Sequence, residues 1–223
     1  MRLSIVMPVL DEATEIDAAL AALAPLRAEG HQLIVVDGGS RDGTLSQCTG
    51  GADEVLHAPR GRASQMNAGA VRAQGDVLLF LHVDSRLPIN AAIAIEQSIQ
   101  AGAAWGRFDV TITGRSLMFP LIAALMNQRS RWSGIATGDQ AIFVRRELFE
   151  RIGGYADLPL MEDIELCKRL RDCSAPACLR QRVLTSGRRW EQRGVWRTVL
   201  LMWRLRWRYW RGEPAEALAR AYR

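Results

Sequence analysis

The sequence predicts an α/β fold with a mostly parallel sheet and helices on both faces of that sheet. Three short apolar segments, residues 3–9, 33–36 and 77–81, are typical of strands buried on both faces. Residues 16–26 and 89–100 follow the first and third of these segments and have the spacing of helices. This alternation of strand and helix predicts a doubly wound, Rossmann-like order.

The helix expected between the first two strands is defined by its apolar face. Its apolar positions are three and four residues apart and comprise Ile16, Ala19, Leu20, Leu23 and Leu26. That spacing places all of them on one side of a helix. Asp11 is the expected N-cap, and Gly30 is the expected stop.

The second half of the chain has a less regular pattern. Residues 107–113 alternate in polarity like an antiparallel strand, residues 141–144 form another short strand, and residues 164–171 have helical spacing. We therefore expect a mixed extension of the same sheet. The predicted division is one domain at residues 1–194 and a helical tail, rich in tryptophan and arginine, at residues 195–223.

Charge is distributed unevenly along the chain. The formal net charge is +5, and residues 180–211 are dense in arginine with almost no acid, which indicates an anionic ligand or surface. The longest apolar run, residues 117–126, is about half the ~20 residues that span a bilayer, and Pro120 interrupts it. No signal-peptide pattern is present at the start, so the expected location is cytoplasmic.

Polar loops follow the first two predicted strands. In an open parallel sheet, ligands bind beyond the carboxyl ends of the strands, where loops and helix N-termini converge. The first loop is PVLDE at residues 8–12, and the second is DGGSRDGT at residues 37–44. The glycines of the second loop fit neither a dinucleotide fingerprint nor a P-loop. Asp37 has a carboxylate suited to hydrogen bonding with a base or ribose.

Carboxylates also follow the third predicted strand and precede a later helix. Asp84 lies at the mouth of the expected crevice, two residues after His82, and would suit an oxygen-ligated Mg²⁺ or Mn²⁺ that bridges a diphosphate. Glu162 and Asp163 lie at a helix start, where the helix dipole keeps a carboxylate ionised. Asp163 is therefore the candidate general base.

With these segments in place, the chain resembles the family 2 glycosyltransferases of the GT-A fold. The family begins with a P-V-x-N-E-like loop and carries a V-D-D-G-S-x-D-G-T loop, which read PVLDE and VDGGSRDGT here. The closest resemblance is to a small bacterial subgroup linked by name to arsenosugar biosynthesis. The segments shared with that subgroup include RGRASQMNAGA, LLFLHVDSRLP, GDQAIFVRRELFERIGGY, MEDIELCKRLR and RRWEQRG. The resemblance covers nearly the whole chain.

The resemblance implies a role for each matching residue on the donor side. Pro8 and Glu12 would frame the nucleotide, Asp37 would bind the base or ribose, and Arg62 would lie near the donor. It also implies a divalent cation, Mn²⁺ or Mg²⁺, at Asp84.

On the acceptor side the resemblance implies a second set of residues. Asp163 would be the base, with Glu162 beside it in the substrate site. Asp139 would line the acceptor side of the crevice, although a plain turn before a strand explains it equally well. Arg189 and Trp190 would border the acceptor and the diphosphate, or would form a basic surface loop with the tryptophan packed on the core.

Two positions depart from the family pattern. Gly38 replaces the second aspartate of the D-D-G-S loop, and His82 replaces the first acid of the D-x-D triplet. The last carboxylate of the triplet usually supplies the direct metal ligand, and histidine can also bind Mn²⁺. His82 is therefore assigned to the donor site, with a purely structural role as the alternative.

The function implied is inverting transfer of a sugar from a UDP- or GDP-sugar to an acceptor hydroxyl, on a small metabolite or a lipid carrier. The alternative is a catalytically degenerate scaffold that binds a nucleotide sugar or a membrane surface. A nucleotidyltransferase is disfavoured because the loop at residues 8–12 is acidic and lacks glycine. No nucleic-acid partner is expected.

The tail has a second apolar pattern. At 100° per residue one narrow face holds Trp196, Val199, Leu200, Trp203, Trp207 and Trp210. One flank of that face holds Arg197, Arg204, Arg208 and Arg211. This pattern suits a helix at an anionic membrane surface, here the inner face of the membrane, while packing on the protein body or on a partner chain is the alternative.

Overall fold

In the computed structural model, which describes residues 1–222 apart from the side chain of Arg189, one eight-stranded sheet runs through the chain. Its strands are β1 (Leu3–Val9), β2 (Gln32–Asp37), β3 (Glu54–His57), β4 (Val77–Phe80), β5 (Ser85–Arg86), β6 (Trp105–Thr113), β7 (Phe143–Arg145) and β8 (Ala177–Ser186). They lie in the order β3-β2-β1-β4-β7-β6-β8-β5. The sheet is mostly parallel, as predicted.

Helices cover both faces of the sheet. They are α1 (Ile16–Ala28), α2 (Thr44–Gln47), α3 (Arg62–Arg72), α4 (Ala91–Gln100), α5 (Phe119–Ser133), α6 (Arg146–Arg151), α7 (Glu162–Cys173), α8 (Arg188–Arg193), α9 (Val195–Trp210) and α10 (Ala215–Tyr222). One apolar core lies under α1 and α4, and a second lies under α3, α6 and α7. Within residues 1–222, no helix is both long enough and apolar enough to cross a bilayer.

The parallel half of the sheet follows the sequence pattern closely. β1 runs between β2 and β4 and is parallel to both, and every one of its residues is buried. The apolar face predicted for α1 is the buried face of that helix. The three strands end at the same edge of the sheet, which brings the loops that follow them together.

The role predicted for Asp11 is wrong. α1 begins at Ile16 with Glu15 as its N-cap residue, and no side chain caps it. Asp11 instead has a positive φ of 52° and accepts a hydrogen bond from the backbone N–H of Arg41 at 2.7 Å. Its carboxylate therefore connects two loops, and is too far back along the chain to reach the first turn of the helix.

The second half of the chain extends the sheet in a mixed manner, as expected. β7 is antiparallel to both β4 and β6, whereas β6 is parallel to β8. β6 does not have one exposed face, although its sequence alternates, because Arg107 and Asp109 are buried as well. These two side chains form an ion pair, and Arg131 of α5 also pairs with Asp109. The charged residues that make the sequence of β6 alternate in polarity are therefore paired with other charges inside the protein.

The tail has its own contacts with the rest of the chain. α9 and α10 pack against each other, and Leu205 and Leu218 are fully buried. Both leucines share an apolar cluster with Met161 and Ile164, which flank the start of α7. The division at residue 194 stays a prediction, and the cluster offers a way to test it.

Replacing Leu205 with alanine should lower the free energy of unfolding by about 2–5 kcal/mol, because it removes a buried side chain that joins the tail to α7. Urea unfolding monitored by circular dichroism would measure the loss. Leu200→Ala is the matched control, because Leu200 lies on the same helix and is exposed, so a change within about 0.5 kcal/mol is expected. Equal stability of the two variants would indicate a tail that is energetically separate from the domain.

Candidate active site

Polar loops at the ends of β1 and β2 form the first wall of the candidate site. The backbone N–H of Asp11 donates to Ser40 Oγ at 2.9 Å, and the N–H of Glu12 donates to Thr44 Oγ1 at 2.9 Å. Each bond joins the loop after β1 to the loop after β2. The two loops are therefore held as one unit at the carboxyl edge of the sheet.

The carboxylate of Asp37 is fully buried inside the second loop. It accepts hydrogen bonds from the backbone N–H groups of Gly39 at 2.9 Å and Ser40 at 3.1 Å, and from the Ser40 hydroxyl. His57 Nδ1 lies 3.5 Å from Asp37 Oδ2. These contacts show how Asp37 shapes the loop. Its contact with a base or ribose stays a prediction.

A side chain from α3 explains the glycine that departs from the family pattern. Gln65 Nε2 donates to the backbone carbonyls of Val9 at 2.9 Å and Val36 at 2.7 Å, so it joins the ends of β1 and β2. A Cβ atom added to Gly38 would lie only 3.0 Å from Gln65 Oε1. The position that carries an aspartate in the family pattern is therefore crowded here. Sequence analysis missed Gln65, although it lies within the quoted RGRASQMNAGA segment.

Pro8 and Glu12 lie where the prediction put them, at the end of β1 and just after it. Pro8 is buried and pairs with Val36 of β2. Glu12 is largely buried, and its Oε2 lies 3.7 Å from Arg188 Nη2. Arg188 also donates to Glu15 Oε1 at 2.9 Å. Arg188, the first residue of the RRWEQRG segment, thus connects α8 to the first loop.

Arg189 and Trp190 follow Arg188 on α8 and were both assigned to the acceptor and diphosphate side of the site. The side chain of Arg189 lies outside the described residues, so its predicted role at the diphosphate stays a prediction. Trp190 is partly buried and packs on the apolar cluster that includes Phe119 and Ile122 of α5. This contact is the core packing that was the alternative for Trp190. A role at the acceptor also stays a prediction.

Asp84 lies in a tight turn after β4. The backbone N–H of Ser85 donates to the carbonyl of His82 at 3.0 Å, and the N–H of Ser186 donates to the carbonyl of Asp84 at 3.2 Å. These bonds fix the backbone of Asp84 from both sides. Its carboxylate is partly exposed and accepts a long hydrogen bond of 3.4 Å from Ser85 Oγ. The carboxylate is therefore held in place at the crevice.

His82 lies against the short 3₁₀ turn at Gly138–Gln140. A Cβ atom added to Gly138 would lie 2.5 Å from both Cε1 and Nε2 of the His82 ring. His82 Nδ1 is 3.6 Å from Asp139 Oδ1. The imidazole therefore lies against a glycine backbone beside a carboxylate, which brings together two residues selected from the sequence, His82 and Asp139.

The same turn holds the candidate base. Gly138 N–H donates to Asp163 Oδ2 at 3.1 Å, and Ile164 N–H donates to Asp163 Oδ1 at 2.7 Å. Burial and the neighbouring Glu162 raise the pKa of Asp163 to about 6, against the lowering effect of these hydrogen bonds and of Arg62. Asp163 therefore changes protonation state just below neutral pH, which is the range in which a general base works best.

Arg62 lies at the start of α3 and supplies the positive charge of this region. Its side chain is exposed to solvent at the protein surface. Neighbouring protein atoms still desolvate the guanidinium group in part. Desolvation would lower its pKa, but Glu162, Asp139 and Asp163 raise it above the usual arginine value. Arg62 is therefore a cation beside the acidic wall of the site, where it can meet an anionic ligand.

A divalent cation bound here would take most of its ligands from the bound substrate and from water. Among residues 1–222, no group of three His, Cys, Asp or Glu side chains is arranged to hold a metal ion. Mg²⁺ and similar ions usually bind through one or two carboxylates together with substrate phosphates and water. A fixed, accessible carboxylate at Asp84 fits that arrangement, and a site formed entirely by protein ligands does not.

Polar loops at the carboxyl edge of a parallel sheet, together with a carboxylate of raised pKa, are typical of α/β proteins that bind a ligand at that edge. The family model for glycosyl transferase family 2 matches residues 4–156. The chain belongs to that family. It is also 27% identical over 237 residues to the probable glycosyltransferase YdaM of Bacillus subtilis strain 168, a match that covers 95% of this chain and 55% of YdaM.

Three solved structures with the same fold illustrate the similarity. The mannosyltransferase PcManGT of Pyrobaculum calidifontis, with GDP-Man and Mn²⁺, has a TM-score of 0.63 at 19% identity and covers 82% of this chain and 56% of its own. S. aureus TarS with UDP has a TM-score of 0.64 at 18% identity, and the match covers 83% of this chain and 60% of the TarS chain. Glucosyl-3-phosphoglycerate synthase of Mycobacterium tuberculosis, with Mg²⁺ and UDP, has a TM-score of 0.60 at 20% identity. The match covers 81% of this chain and 69% of the synthase chain.

These similarities establish the fold as that of the GT-A glycosyltransferases, in agreement with the prediction. The chain spans about half the length of the first of these relatives, 55% of YdaM and 56% of PcManGT.

Proposed function

We propose that the chain is a glycosyltransferase that moves a sugar from a UDP- or GDP-sugar to an acceptor hydroxyl with inversion of configuration. The observation that carries the proposal is the placement of Asp163. Its carboxylate accepts the Gly138 N–H at 3.1 Å on the turn that also contacts His82, and its pKa is raised to about 6. The candidate base and His82, which is assigned to the donor site, thus contact the same turn.

Asp163 would act on the acceptor. At neutral pH a carboxylate with a pKa of about 6 is mostly ionised and is a stronger base than an ordinary aspartate. It would take the proton of the acceptor hydroxyl as that oxygen forms a bond to the anomeric carbon. The bond from that carbon to the diphosphate breaks, and the diphosphate leaves with the electron pair. Such a direct displacement inverts the configuration and needs no covalent intermediate.

The paired loops after β1 and β2 would hold the nucleotide. Pro8, Glu12 and Asp37 belong to this wall, and Arg62 faces it with a charge suited to phosphate oxygens. The relatives with the same fold contain UDP in two cases and GDP-Man in a third. The nucleotides in these structures support a UDP-sugar or a GDP-sugar as the donor of this chain.

Asp84, with His82 beside it, would hold a divalent cation together with the donor. When bound, such a cation neutralises charge on the leaving diphosphate. Mn²⁺ and Mg²⁺ are present in the related structures, which supports either ion. Because one carboxylate is a weak metal site by itself, we expect the cation and the nucleotide to bind cooperatively.

Calorimetric titration with UDP and with GDP, with and without Mn²⁺, tests the donor assignment. One nucleotide should bind at least about tenfold more tightly with Mn²⁺ than without it. Asp84→Ala should abolish that increment, because the protein ligand of the cation is lost. Asp172→Ala is the matched control, because Asp172 is an exposed carboxylate at the far end of α7 and should leave the increment unchanged. Failure of both nucleotides to bind under any condition would contradict the proposal.

The catalytically degenerate scaffold remains the alternative, since Gly38 and His82 depart from the family pattern. It predicts nucleotide binding without any turnover of the donor. Release of UDP or GDP from a panel of nucleotide sugars, in which water can serve as a slow acceptor, distinguishes the two. We also infer membership of the subgroup linked by name to arsenosugar biosynthesis, and its support is the shared segments between residues 60 and 194.

A further inference from the structure

We propose that α5 and α9 together form a docking surface for an anionic lipid bilayer, and this proposal does not depend on the transferase activity. The first observation is the orientation of α9. Its exposed large apolar side chains are Trp196 (63% exposed), Leu200 (65%), Trp203 (65%), Trp207 (55%) and Trp210 (77%). We call this row the tryptophan stripe. Large exposed apolar rows on a protein surface typically mark interaction sites.

The opposite face of α9 explains why the tryptophan stripe is free of the protein body. Leu205 is fully buried, and Leu201, Met202 and Tyr209 pack beside it on Met161 and Ile164. α9 therefore already has an apolar anchor on the body of the protein. Of the apolar face predicted from the sequence, Val199 packs on the protein body, whereas Leu200 and the four tryptophans are exposed.

The second observation extends the surface to α5. Leu117, Leu121 and Leu125 occur at intervals of four residues, at the entry to α5 and along it, and are 95%, 52% and 56% exposed. That spacing places them on one side of the helix. We call them the leucine row. The row adds a second set of unpartnered apolar side chains, which the analysis of the sequence did not find.

The leucine row and the tryptophan stripe belong to helices that pack on one apolar cluster. Ile122 of α5 is a member of that cluster, and Val195 and Val199 of α9 pack against it. Leu121 is the sequence neighbour of Ile122, and Trp203 lies one helical turn beyond Val199. Both exposed rows therefore have members close to the same cluster, and both are available to one large partner such as a bilayer.

Charge identifies the kind of bilayer. Residues 195–211 contain five arginines and no acid. Arg197 and Arg204 flank the tryptophan stripe, and within residues 1–222 neither forms an ion pair with a carboxylate. Arginine side chains at such positions reach anionic headgroups while their stems lie on the apolar layer. Tryptophan is enriched at the membrane interface for its combination of an apolar ring and a polar N–H.

The same charges disfavour a second copy of this chain as the occupant. A twofold symmetric dimer places the same patch of both subunits in one interface. Such an interface would gather Arg197, Arg204, Arg206 and Arg211 of both copies, for which the described residues provide no ion pair, whereas Arg208 is already paired with Glu213. An anionic surface removes this repulsion, and so we assign the surface to lipid.

Sedimentation of the full chain with vesicles tests the proposal. We expect binding to phosphatidylcholine vesicles that contain phosphatidylglycerol, weaker binding to phosphatidylcholine alone, and loss of binding as salt rises. Trp203→Ser combined with Trp207→Ser should weaken binding to the anionic vesicles by about tenfold or more, since two interfacial rings are lost. Arg197→Gln combined with Arg204→Gln should reduce the preference for anionic vesicles and leave the weaker binding to neutral vesicles unchanged.

The matched control is Val71→Ser combined with Ile89→Ser, since both side chains are highly exposed and lie outside α5 and α9. The control should bind vesicles like the unchanged chain, and circular dichroism should show all variants to be folded. Absence of binding to anionic vesicles, or equal binding by the tryptophan variant and the control, would overturn the proposal. So would a dimer in light scattering that the tryptophan variant converts to a monomer.

Discussion

Asp163→Asn should lower kcat by about 10²–10⁴-fold, because asparagine cannot accept the proton of the acceptor hydroxyl. The binding of UDP or GDP should stay within about threefold of the unchanged chain, since the donor loops do not depend on this side chain. Turnover is measured as the nucleotide released from the donor sugar. Asp172→Asn, at the exposed far end of α7, should keep full activity.

The pH profile gives the same prediction an independent readout. Because the pKa of Asp163 is raised to about 6, kcat/KM of the unchanged chain should rise with pH through about 6 and then level off as the base becomes ionised. The rising limb should be absent from the residual activity of Asp163→Asn. A variant that retains a tenth of the activity or more, or a profile without this limb, would remove Asp163 from its role.

Stability should respond to pH in the opposite direction from activity. The folded pKa of Asp163 lies above the value in the unfolded chain, so the folded state binds the proton more tightly. The favourable contribution of the protonated group is therefore lost as pH rises through about 6. Asp163→Asn removes this dependence, so its free energy of unfolding relative to the unchanged chain should increase over the same pH range.

Gly138→Ala should lower kcat/KM by about 10- to 100-fold with only a modest loss of stability, about 1–3 kcal/mol. The added Cβ would lie 2.5 Å from Cε1 and Nε2 of His82, so the imidazole has to move. Gly138 has no positive φ, and alanine therefore suits the backbone itself. The movement would disturb the donor side through His82 and the base through the N–H bond to Asp163.

A double-mutant cycle with His82→Ala separates this clash from other effects. Without the imidazole, the alanine at position 138 has room, so the added loss caused by Gly138→Ala should shrink to a few-fold in the His82→Ala background. Additive losses in the two backgrounds would show that the contact with His82 does not transmit the effect. Thermal unfolding of the three variants shows whether the cycle compares folded proteins.

The sequence predicted the parallel half of the fold because its periodicity is local. β1 and α1 match their predicted extents closely, since each has a single apolar pattern read over a short window. α3 went unrecognised for the opposite reason. Its sequence is mostly small and polar, and it includes Gly69, where a Cβ would lie 2.4 Å from a methyl group of Val6. That glycine serves the close approach of a helix to the sheet, which no local pattern contains.

The candidate site divides in the same way. Asp84 and Asp163 could be selected because one follows a predicted strand and the other begins a predicted helix, whereas Asp139 was selected through the family resemblance. The link from Gly138 to both His82 and Asp163 could not be predicted, because these residues lie up to 81 positions apart and meet only through packing. The partners of Arg188 could not be predicted for the same reason, since Glu12 and Glu15 lie at the other end of the chain.

The buried carboxylate of Asp37 has a consequence for how relatives of this chain are judged. Its oxygens are taken up by the N–H groups of Gly39 and Ser40 and by the Ser40 hydroxyl, so the loop would open without it. Natural selection would retain such a residue for the shape of the loop alone, even in a descendant that had ceased to turn over substrate. The presence of an aspartate at this position is therefore poor evidence that a relative is catalytically active. Asp163 also accepts two backbone N–H groups, so the property that points to catalysis is its raised pKa and not its presence alone.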